Sequence, residues 1–141
     1  MIKKLLVPTD GSEHARRAIA HASDLASKYD ATVFLLHVVP SPVVPHEGVY
    51  ALPDLQNLQE EDGRRIIEEA EAEAKKRGVK DVRSHMLQGD PASQIIRFAK
   101  AQDVDTIVMG NRGLTGIREF LLGSVSHRVS HMADCTVTIV K

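Results

Sequence analysis

Five short apolar runs alternate along the chain with longer segments in which apolar residues recur every three or four positions. Continuous aliphatic runs are typical of buried parallel strands, whereas the longer periodic segments are typical of amphipathic helices. The alternation predicts an α/β fold, an open parallel five-stranded sheet with helices on both faces. The expected strands cover residues 2–7, 32–39, 81–87, 104–109 and 136–140.

The first two periodic segments carry recognisable helix boundaries. Ser12 is the predicted N-cap of the first helix, because its hydroxyl can accept a free backbone N–H. The second helix is expected at 55–77, with Asp54 as its cap and Gly78 just beyond its end. The apolar face of the first helix is expected to consist of Ala15, Ala18, Ile19, Ala22, Leu25 and Ala26.

The last two helices are predicted from the same kinds of signal. Asp90 is the expected cap of the third helix, and Pro91 suits its first position, where no backbone donor is needed. The fourth helix is expected to start at Ser124. Its predicted apolar face carries Val125, Val129 and Met132.

Two of the strands are expected at the edges of the sheet. The strand at 81–87 alternates polar and apolar residues, and the strand at 136–140 is short and comes last. With right-handed crossovers, the order 3-2-1-4-5 fits both and puts strands 1 and 4 side by side. Strand 136–140 carries the apolar residues Val137 and Ile139 and has no charge or proline to prevent pairing. We therefore expect a homodimer through this strand; the alternative is that the terminus frays.

A glycine-rich stretch follows the fourth strand and precedes the fourth helix. Gly110, Gly113 and Gly123 are followed by Ser124 in the spacing G-2x-G-9x-G-S. Glycines let a ligand approach the backbone, and a helix start offers free N–H groups and the positive end of its dipole. The stretch therefore predicts a phosphate-binding loop; the alternative is a tight loop that serves only helix packing.

Other phosphate-binding patterns are missing. The chain contains no G-x-x-x-x-G-K-[ST] sequence, and no lysine lies within the glycine-rich stretch, which argues against a Walker loop. A G-x-G-x-x-G dinucleotide fingerprint does not follow strand 1. Strand 1 also lacks the acidic pair of a phosphoacceptor receiver domain.

Ligands of open α/β sheets bind at the carboxyl ends of the strands where strand order reverses, which is here between strands 1 and 4. Asp10 is then a candidate for contacting ribose hydroxyls or a metal; the alternative is that it only forms the turn or caps a helix. The backbone at 37–39 could receive a base. Arg112 or Arg118 could add positive charge. Amides and hydroxyls for phosphates are offered by Gly113, Gly123, Ser124, Val125 and Ser126.

The histidines and the cysteine form no evident catalytic or metal-binding set. His127 and His131 have metal-compatible i, i+4 spacing, but no third ligand is evident, so we expect them to face solvent. His14 and His21 are also expected at the surface. Cys135 is expected to be a small buried residue, and a single cysteine suits a reducing cytoplasm.

Composition narrows the class of protein. The chain has 141 residues, a formal net charge of −1 and no tryptophan. That length favours one domain covering 1–141. The near-neutral charge and few aromatic residues argue against nucleic-acid binding. No apolar segment is long enough to span a membrane, so we expect a cytoplasmic protein without membrane insertion.

The sequence resembles the universal stress protein family over essentially its whole length. The resemblance rests on LLVPTDGSEHARRA at the start, LLHVV in the second strand, GDPA before the third helix, and DTIVMGNRGLTGIREFLLGSVSHRV. The G-2x-G-9x-G-S spacing marks the ATP-binding branch of that family, which implies a Rossmann-like fold of the adenine-nucleotide-binding type.

The resemblance also implies a binding site for ATP between strands 1 and 4. We expect Mg²⁺ or Mn²⁺ to be held through the phosphates, and no metal ligand beyond the candidate Asp10 is named. It places Pro8, Thr9, Asp10 and the backbone of Val38 toward the adenosine. Family members commonly dimerise through the last strand. Around the ribose and phosphates it places Met109, Gly110, Arg112, Gly113, Gly123, Ser124, Val125 and Ser126.

The expected function is that of an ATP-binding stress-response or regulatory protein whose nucleotide occupancy is sensed by a partner or by the dimer. No general base is evident for attack on a γ-phosphate, so we expect tight binding with slow or absent hydrolysis. The alternatives are a slow ATP-hydrolysing or nucleotidyl-transfer enzyme that uses Asp10 and a metal, and a nucleotide-independent adaptor dimer. The proline-rich stretch 40–53 has no assigned role.

Overall fold

The computed structural model describes residues 1–41, 53–111 and 123–141. Most element ends lie within two residues of their predicted positions, and the alternation of strands and helices is confirmed. The strands are β1 (Lys4–Pro8), β2 (Thr32–Val39), β3 (Val82–Gln88), β4 (Thr106–Gly110) and β5 (Thr136–Val140). The helices are α1 (Glu13–Tyr29), α2 (Pro53–Lys76), α3 (Pro91–Ala101) and α4 (Ser124–Met132).

The five strands form one parallel sheet in the order β3-β2-β1-β4-β5, which confirms the predicted order. In the central strand β1, Leu5 pairs with Val33 of β2 on one side and with Thr106 of β4 on the other. The edges are β3 and β5, as expected from the alternating pattern of β3 and from the short length and last place of β5. Strand order therefore reverses between β1 and β4.

The helices cover both faces of the sheet, as predicted. Leu5 and Leu6 are fully buried on opposite faces because successive strand side chains alternate. Helices α1 and α2 pack over the face that carries Leu5, Val7, Val33, Leu35 and Val108. Helices α3 and α4 pack over the face that carries Leu6, Phe34, Leu36, Ile107 and Met109.

The structure confirms three of the four helix caps predicted from the sequence. The Ser12 hydroxyl accepts the Ala15 N–H at 3.2 Å, and an Asp90 carboxylate oxygen accepts the Ser93 N–H at 3.0 Å. Gly78 has a φ of +94° just beyond α2. The exception is the start of α2. This helix begins at Pro53, so Asp54 lies within its first turn instead of capping it.

The apolar face predicted for α4 is wrong at one position. Val129 is fully buried, but Met132 is 60% exposed, and Ser126 takes an inner position at 2% exposure. The Ser126 hydroxyl donates to the Asn111 carbonyl at 2.8 Å. A buried hydroxyl with a backbone partner can face the sheet without a desolvation penalty, which hydrophobic periodicity does not reveal.

The amino-terminal end of the sheet is fixed by a carboxylate. One oxygen of Asp105, the residue before β4, accepts the backbone N–H groups of Lys3 and Lys4 at 2.6 and 2.7 Å. These bonds lower the pKa of Asp105, Lys3 contributing more than Lys4. The carboxylate thus ties the start of β1 to the start of β4.

None of the helices within residues 1–41, 53–111 and 123–141 combines the length and apolar character that a membrane span requires.

Candidate functional site

The loops that follow β1 and β4 leave the same edge of the sheet side by side. The two strands pair directly, with Leu6 opposite Ile107, and they end at Pro8 and Gly110. This is the reversal of strand order at which open α/β sheets bind ligands. The structure therefore brings together the residues predicted for the site on either side of these two strand ends.

The loop after β1 is held in place by its own hydrogen bonds. The Thr9 N–H donates to the Leu36 carbonyl at 2.8 Å, which extends the pairing of β1 with β2. An Asp10 carboxylate oxygen accepts the Ser12 N–H at 2.9 Å. Gly11 lies between them with a φ of +82°, a conformation that favours glycine. The Asp10 carboxylate thus lies at the N-terminus of α1, where the helix dipole favours negative charge.

The end of β2 contacts this loop directly. The imidazole Nδ1 of His37 lies 2.8 Å from the Thr9 carbonyl oxygen. Val38, whose backbone is the predicted contact for a base, is the next residue along β2. The His37 side chain therefore joins the end of β2 to the loop that carries Asp10, in addition to the backbone bond between Thr9 and Leu36.

The end of β4 lies against α1. Met109 is buried in the core, and a Cβ placed on Gly110 would lie 2.7 Å from the carbonyl carbon of His14. Gly110 thus has a packing role, which was the alternative explanation for the glycines. The predicted surface position of His14 is wrong. Its ring is partly buried and its Nδ1 has no hydrogen-bond partner in the described chain, whereas His21 is exposed as expected.

The start of α4 is tied to the end of β4 through Asn111. The Asn111 carbonyl accepts both the Gly123 N–H at 2.9 Å and the Ser126 hydroxyl at 2.8 Å. Gly123 is the N-cap, with φ −58° and ψ 157°, and it provides no side-chain cap. The first backbone N–H groups of a helix have no partner within the helix. Those of α4 belong to Ser124, Val125 and Ser126.

Two predicted site residues, Arg112 and Gly113, lie outside the described residues, as does Arg118. The other predicted positions fall into two groups. Pro8, Thr9, Asp10, Val38, Met109 and Gly110 lie at or beside the carboxyl ends of β1, β2 and β4. Gly123, Ser124, Val125 and Ser126 form the N-cap and first turn of α4.

Sequence reasoning missed the role of Asn111. This residue is only 8% exposed, its N–H donates to the Val140 carbonyl at 2.9 Å, and its carbonyl holds the start of α4. Within the described residues its side-chain Oδ1 is buried without a hydrogen-bond partner. One sequence signal could have indicated this role. Asn111 directly follows the glycine that ends β4, and asparagine is common in turns.

Metal binding by side chains alone requires several ligands close together. In the parts of the chain that the structure describes, no three histidine, cysteine or acidic side chains are grouped as a metal site would require. His127 and His131 are exposed as expected, with ring centroids 4.5 Å apart. Cys135 is only partly buried instead of fully buried, and this burial raises the pKa of its thiol.

A parallel sheet in the order 3-2-1-4-5, with polar loops at the reversal of strand order, defines a doubly wound α/β protein, a class whose ligands bind at that edge. The model of the universal stress protein family matches residues 1–141. The chain belongs to the universal stress protein family.

Individual relatives support this assignment along the full chain. Universal stress protein MJ0531 of Methanocaldococcus jannaschii is 40% identical, in a match that covers 100% of this chain and 83% of that protein. The structure of hypothetical protein MJ0577 from the same organism is similar, with a TM-score of 0.84 and 30% identity, covering 100% of this chain and 96% of that one. A universal stress protein in complex with cAMP has a TM-score of 0.78 and 27% identity, covering 99% and 97% of the two chains.

Proposed function

We propose that this protein binds ATP in the crevice between the β1 and β4 loops, as a stress-response protein whose nucleotide occupancy controls a partner or its own dimer. One observation carries the proposal. Asn111 fixes the N-terminus of α4, whose N-cap Gly123 has no side chain, to the end of β4, and β4 pairs with the strand that leads into the Asp10 loop. A helix start without a side-chain cap, next to a carboxylate, offers complementary partners for phosphates and ribose hydroxyls.

The adenosine half of the proposed site is formed by β1 and β2. In this proposal the backbone of Val38 receives the base, with Pro8 and Thr9 lining the adenosine. The Asp10 carboxylate accepts ribose hydroxyls, because a carboxylate is an acceptor and each hydroxyl is a donor. The bond from the Ser12 N–H to Asp10 orients this carboxylate.

The phosphate half is formed by β4 and α4. Met109 and Gly110 contribute backbone at the entry, because the Met109 side chain is buried in the core. Arg112 and Gly113 belong to the proposed loop, and Gly123 begins the helix. The amides of Ser124, Val125 and Ser126 are the proposed phosphate donors. The Ser126 hydroxyl is committed to the Asn111 carbonyl, so its part in the proposal is to hold the helix start.

A divalent cation, Mg²⁺ or Mn²⁺, would be held chiefly through the phosphates. The described residues hold no cluster of three metal-ligating side chains, and Mg²⁺ commonly binds through substrate phosphates with few protein ligands. The metal would neutralise phosphate charge. Asp10 is the candidate protein ligand for this metal.

The neighbours and the loop spacing both support an adenine nucleotide. The similar universal stress protein bound to cAMP supports a ligand that contains adenosine monophosphate chemistry. The G-2x-G-9x-G-S spacing supports a longer phosphate chain and therefore ATP. We propose binding with slow or absent turnover, because the carboxylate at the crevice is oriented toward a backbone amide and serves the ribose.

The proposal also includes one nucleotide-binding domain over 1–141 and a homodimer through β5. Strand β5 is an edge strand with partly buried Val137 and Ile139. An edge of this kind pairs readily with another strand. A cytoplasmic location is part of the proposal and rests on the single cysteine, Cys135.

Calorimetry of the purified protein with ATP, with and without Mg²⁺, tests the binding site. The decisive pair is Gly123→Asp and Gly123→Asn. Both residues cap a helix well, but only aspartate places a negative charge where the phosphates would bind. We expect Gly123→Asp to weaken ATP binding about tenfold or more relative to Gly123→Asn, a difference of about 1.4 kcal/mol.

Two results would contradict the proposal. One is a wild-type protein that binds no ATP under either condition. The other is equal ATP affinity for Gly123→Asp and Gly123→Asn, which would exclude the N-terminus of α4 as the phosphate site. Thermal unfolding of the two variants serves as the control, since both should keep α4 intact.

A further inference from the structure

The His37 ring lies at a junction of three elements. Its Nδ1 is 2.8 Å from the Thr9 carbonyl oxygen in the loop after β1. Its Cδ2 would lie 2.8 Å from a Cβ placed on Gly63 of α2, and its Nε2 would lie 3.2 Å from the same position. The ring is therefore enclosed between the β1 loop and α2 while its backbone belongs to β2.

The hydrogen bond fixes the orientation of the ring. A carbonyl oxygen can only accept, so the proton in the His37–Thr9 bond is on Nδ1. The Thr9 N–H also donates to the Leu36 carbonyl at 2.8 Å, so Thr9 is held through both its N–H and its carbonyl. Asp10 directly follows this doubly held residue.

We infer that His37 is a positioning residue that sets the distance between the two adenosine contacts, the Val38 backbone and the Asp10 carboxylate. The inference rests on the proposed ATP site. His37 precedes Val38 on β2, and its side chain holds the carbonyl that precedes Asp10. One residue thus links the base-binding strand end to the ribose-binding loop.

Gly63 explains how the ring keeps this orientation. Glycine inside a helix is unfavourable relative to alanine, yet α2 carries one in its interior. A methyl group at Gly63 would meet the His37 ring at 2.8 Å and the Met86 Cε at 3.2 Å. The absence of a side chain at Gly63 lets α2 pack closely against the edge of the ring that carries Cδ2 and Nε2. Helix α2 thereby supports the ring on the edge away from the loop.

Four variants separate positioning from general stability. His37→Leu removes the donor, whereas His37→Asn places an amide N–H on the same branch of the side chain as Nδ1. Gly63→Ala presses a methyl group against the ring. His21→Leu removes an exposed histidine from α1 and is the matched control.

Two measurements are made on each variant. The backbone amide resonances of residues 9–12 are recorded in nucleotide-free protein, and ATP affinity is measured by calorimetry. We expect His37→Leu to shift these resonances and to weaken ATP binding about tenfold, the size expected for one lost hydrogen bond. His37→Asn should restore the resonances and bring affinity to within about threefold of wild type, and His21→Leu should change neither.

The two proposals fail in different ways. A wild-type protein that binds no ATP overturns the proposed function, while the resonances of free His37→Leu still test the loop. Wild-type resonances and affinity in His37→Leu overturn the positioning role. If His37→Leu does not fold, the other two variants decide. Shifted resonances of residues 9–12 in Gly63→Ala, together with native resonances in His37→Asn, support the positioning role. Unchanged resonances in Gly63→Ala overturn the positioning role.

Discussion

Gly110 and the backbone of His14 are in direct contact where β4 ends against the first turn of α1. A Cβ on Gly110 would lie 2.7 Å from the His14 carbonyl carbon and 2.9 Å from its carbonyl oxygen. Backbone atoms at the start of a buried helix cannot yield as a flexible side chain can. Helix α1 therefore reaches β4 because this position has no side chain.

The first prediction is that Gly110→Ala destabilises the protein. The added methyl group must push α1 away from β4, which should lower the free energy of unfolding by about 1–3 kcal/mol. Urea unfolding followed by circular dichroism measures the change. Because α1 also carries the Ser12 N–H that orients Asp10, ATP affinity should fall as well.

Gly78→Ala is the comparison for this experiment. Gly78 has a φ of +94°, and the atom nearest to an added Cβ is the Ser27 Oγ at 3.6 Å. Gly78→Ala should lower the free energy of unfolding by about 1–2 kcal/mol, because alanine is strained in this left-handed conformation. The added methyl group should not displace neighbouring atoms. Gly78 lies beyond α2 and away from the carboxyl edge of the sheet, so ATP affinity should be unchanged. A Gly110→Ala protein as stable as wild type would contradict the packing argument.

The second prediction concerns the hydroxyl that holds the start of α4. Ser126→Ala removes the buried donor to the Asn111 carbonyl and should lower the free energy of unfolding by about 1 kcal/mol. Ser130→Ala is matched to it, because the Ser130 hydroxyl donates to the His127 carbonyl at 2.8 Å but is exposed. We expect little effect there. Equal effects of the two changes in thermal unfolding would argue against a special role for the β4–α4 junction.

These two sites show where sequence reasoning reaches its limit. Strand order and edges were predictable, because apolar content distinguishes central from edge strands and chirality restricts the crossovers. Met132 was assigned to the core because periodicity counts apolar residues. The inner position belongs to Ser126, whose partner Asn111 is fifteen residues away. The close approach of Gly110 to the His14 backbone is likewise a non-local contact that no local pattern encodes.

The third prediction is a pH dependence from Asp105. The Lys3 N–H and then the Lys4 N–H lower the pKa of this carboxyl below its ordinary value. A carboxyl whose folded pKa is lowered contributes stability above its unfolded pKa, about 3.9, and loses it as the pH falls toward the folded value. Acidification from pH 7 to below about 4 should therefore remove this contribution.

Asp105→Ala tests this contribution. At pH 7 we expect the free energy of unfolding to fall by about 1 kcal/mol. This is less than the usual value for a charged hydrogen bond, about 1.5–3 kcal/mol, because solvent screens the exposed side chain. In Asp105→Asn one side-chain oxygen can still accept both N–H groups, so the loss should be smaller. Denaturant unfolding at several pH values should show wild type and Asp105→Asn converging in acid. A constant difference between them would contradict the assignment.

The fourth prediction concerns the proposed dimer through β5. The Val140 carbonyl accepts the Asn111 N–H from the β4 side, so by alternation the N–H groups of Val137 and Ile139 face the free edge. Val137→Pro removes an outward donor without breaking a bond to β4, and proline is tolerated on edge strands in this orientation. We expect Val137→Pro to be monomeric in light scattering.

Val137→Ala is the control, because it shortens the side chain but keeps the outward N–H. It should stay dimeric if strand pairing holds the two copies together. A Val137→Pro protein with the same mass in solution as wild type would exclude pairing through this edge.

The pairing of β1 with β4 also has a consequence for how the protein is made. Leu5 pairs with Thr106, so the central strand emerges from the ribosome long before its second neighbour is synthesised. Until then one side of β1 has no strand beside it, and neither half of the proposed crevice has its counterpart. Such distant pairings form late in folding. A nascent chain would therefore be unable to form the proposed crevice until β4 and α4 have packed against β1.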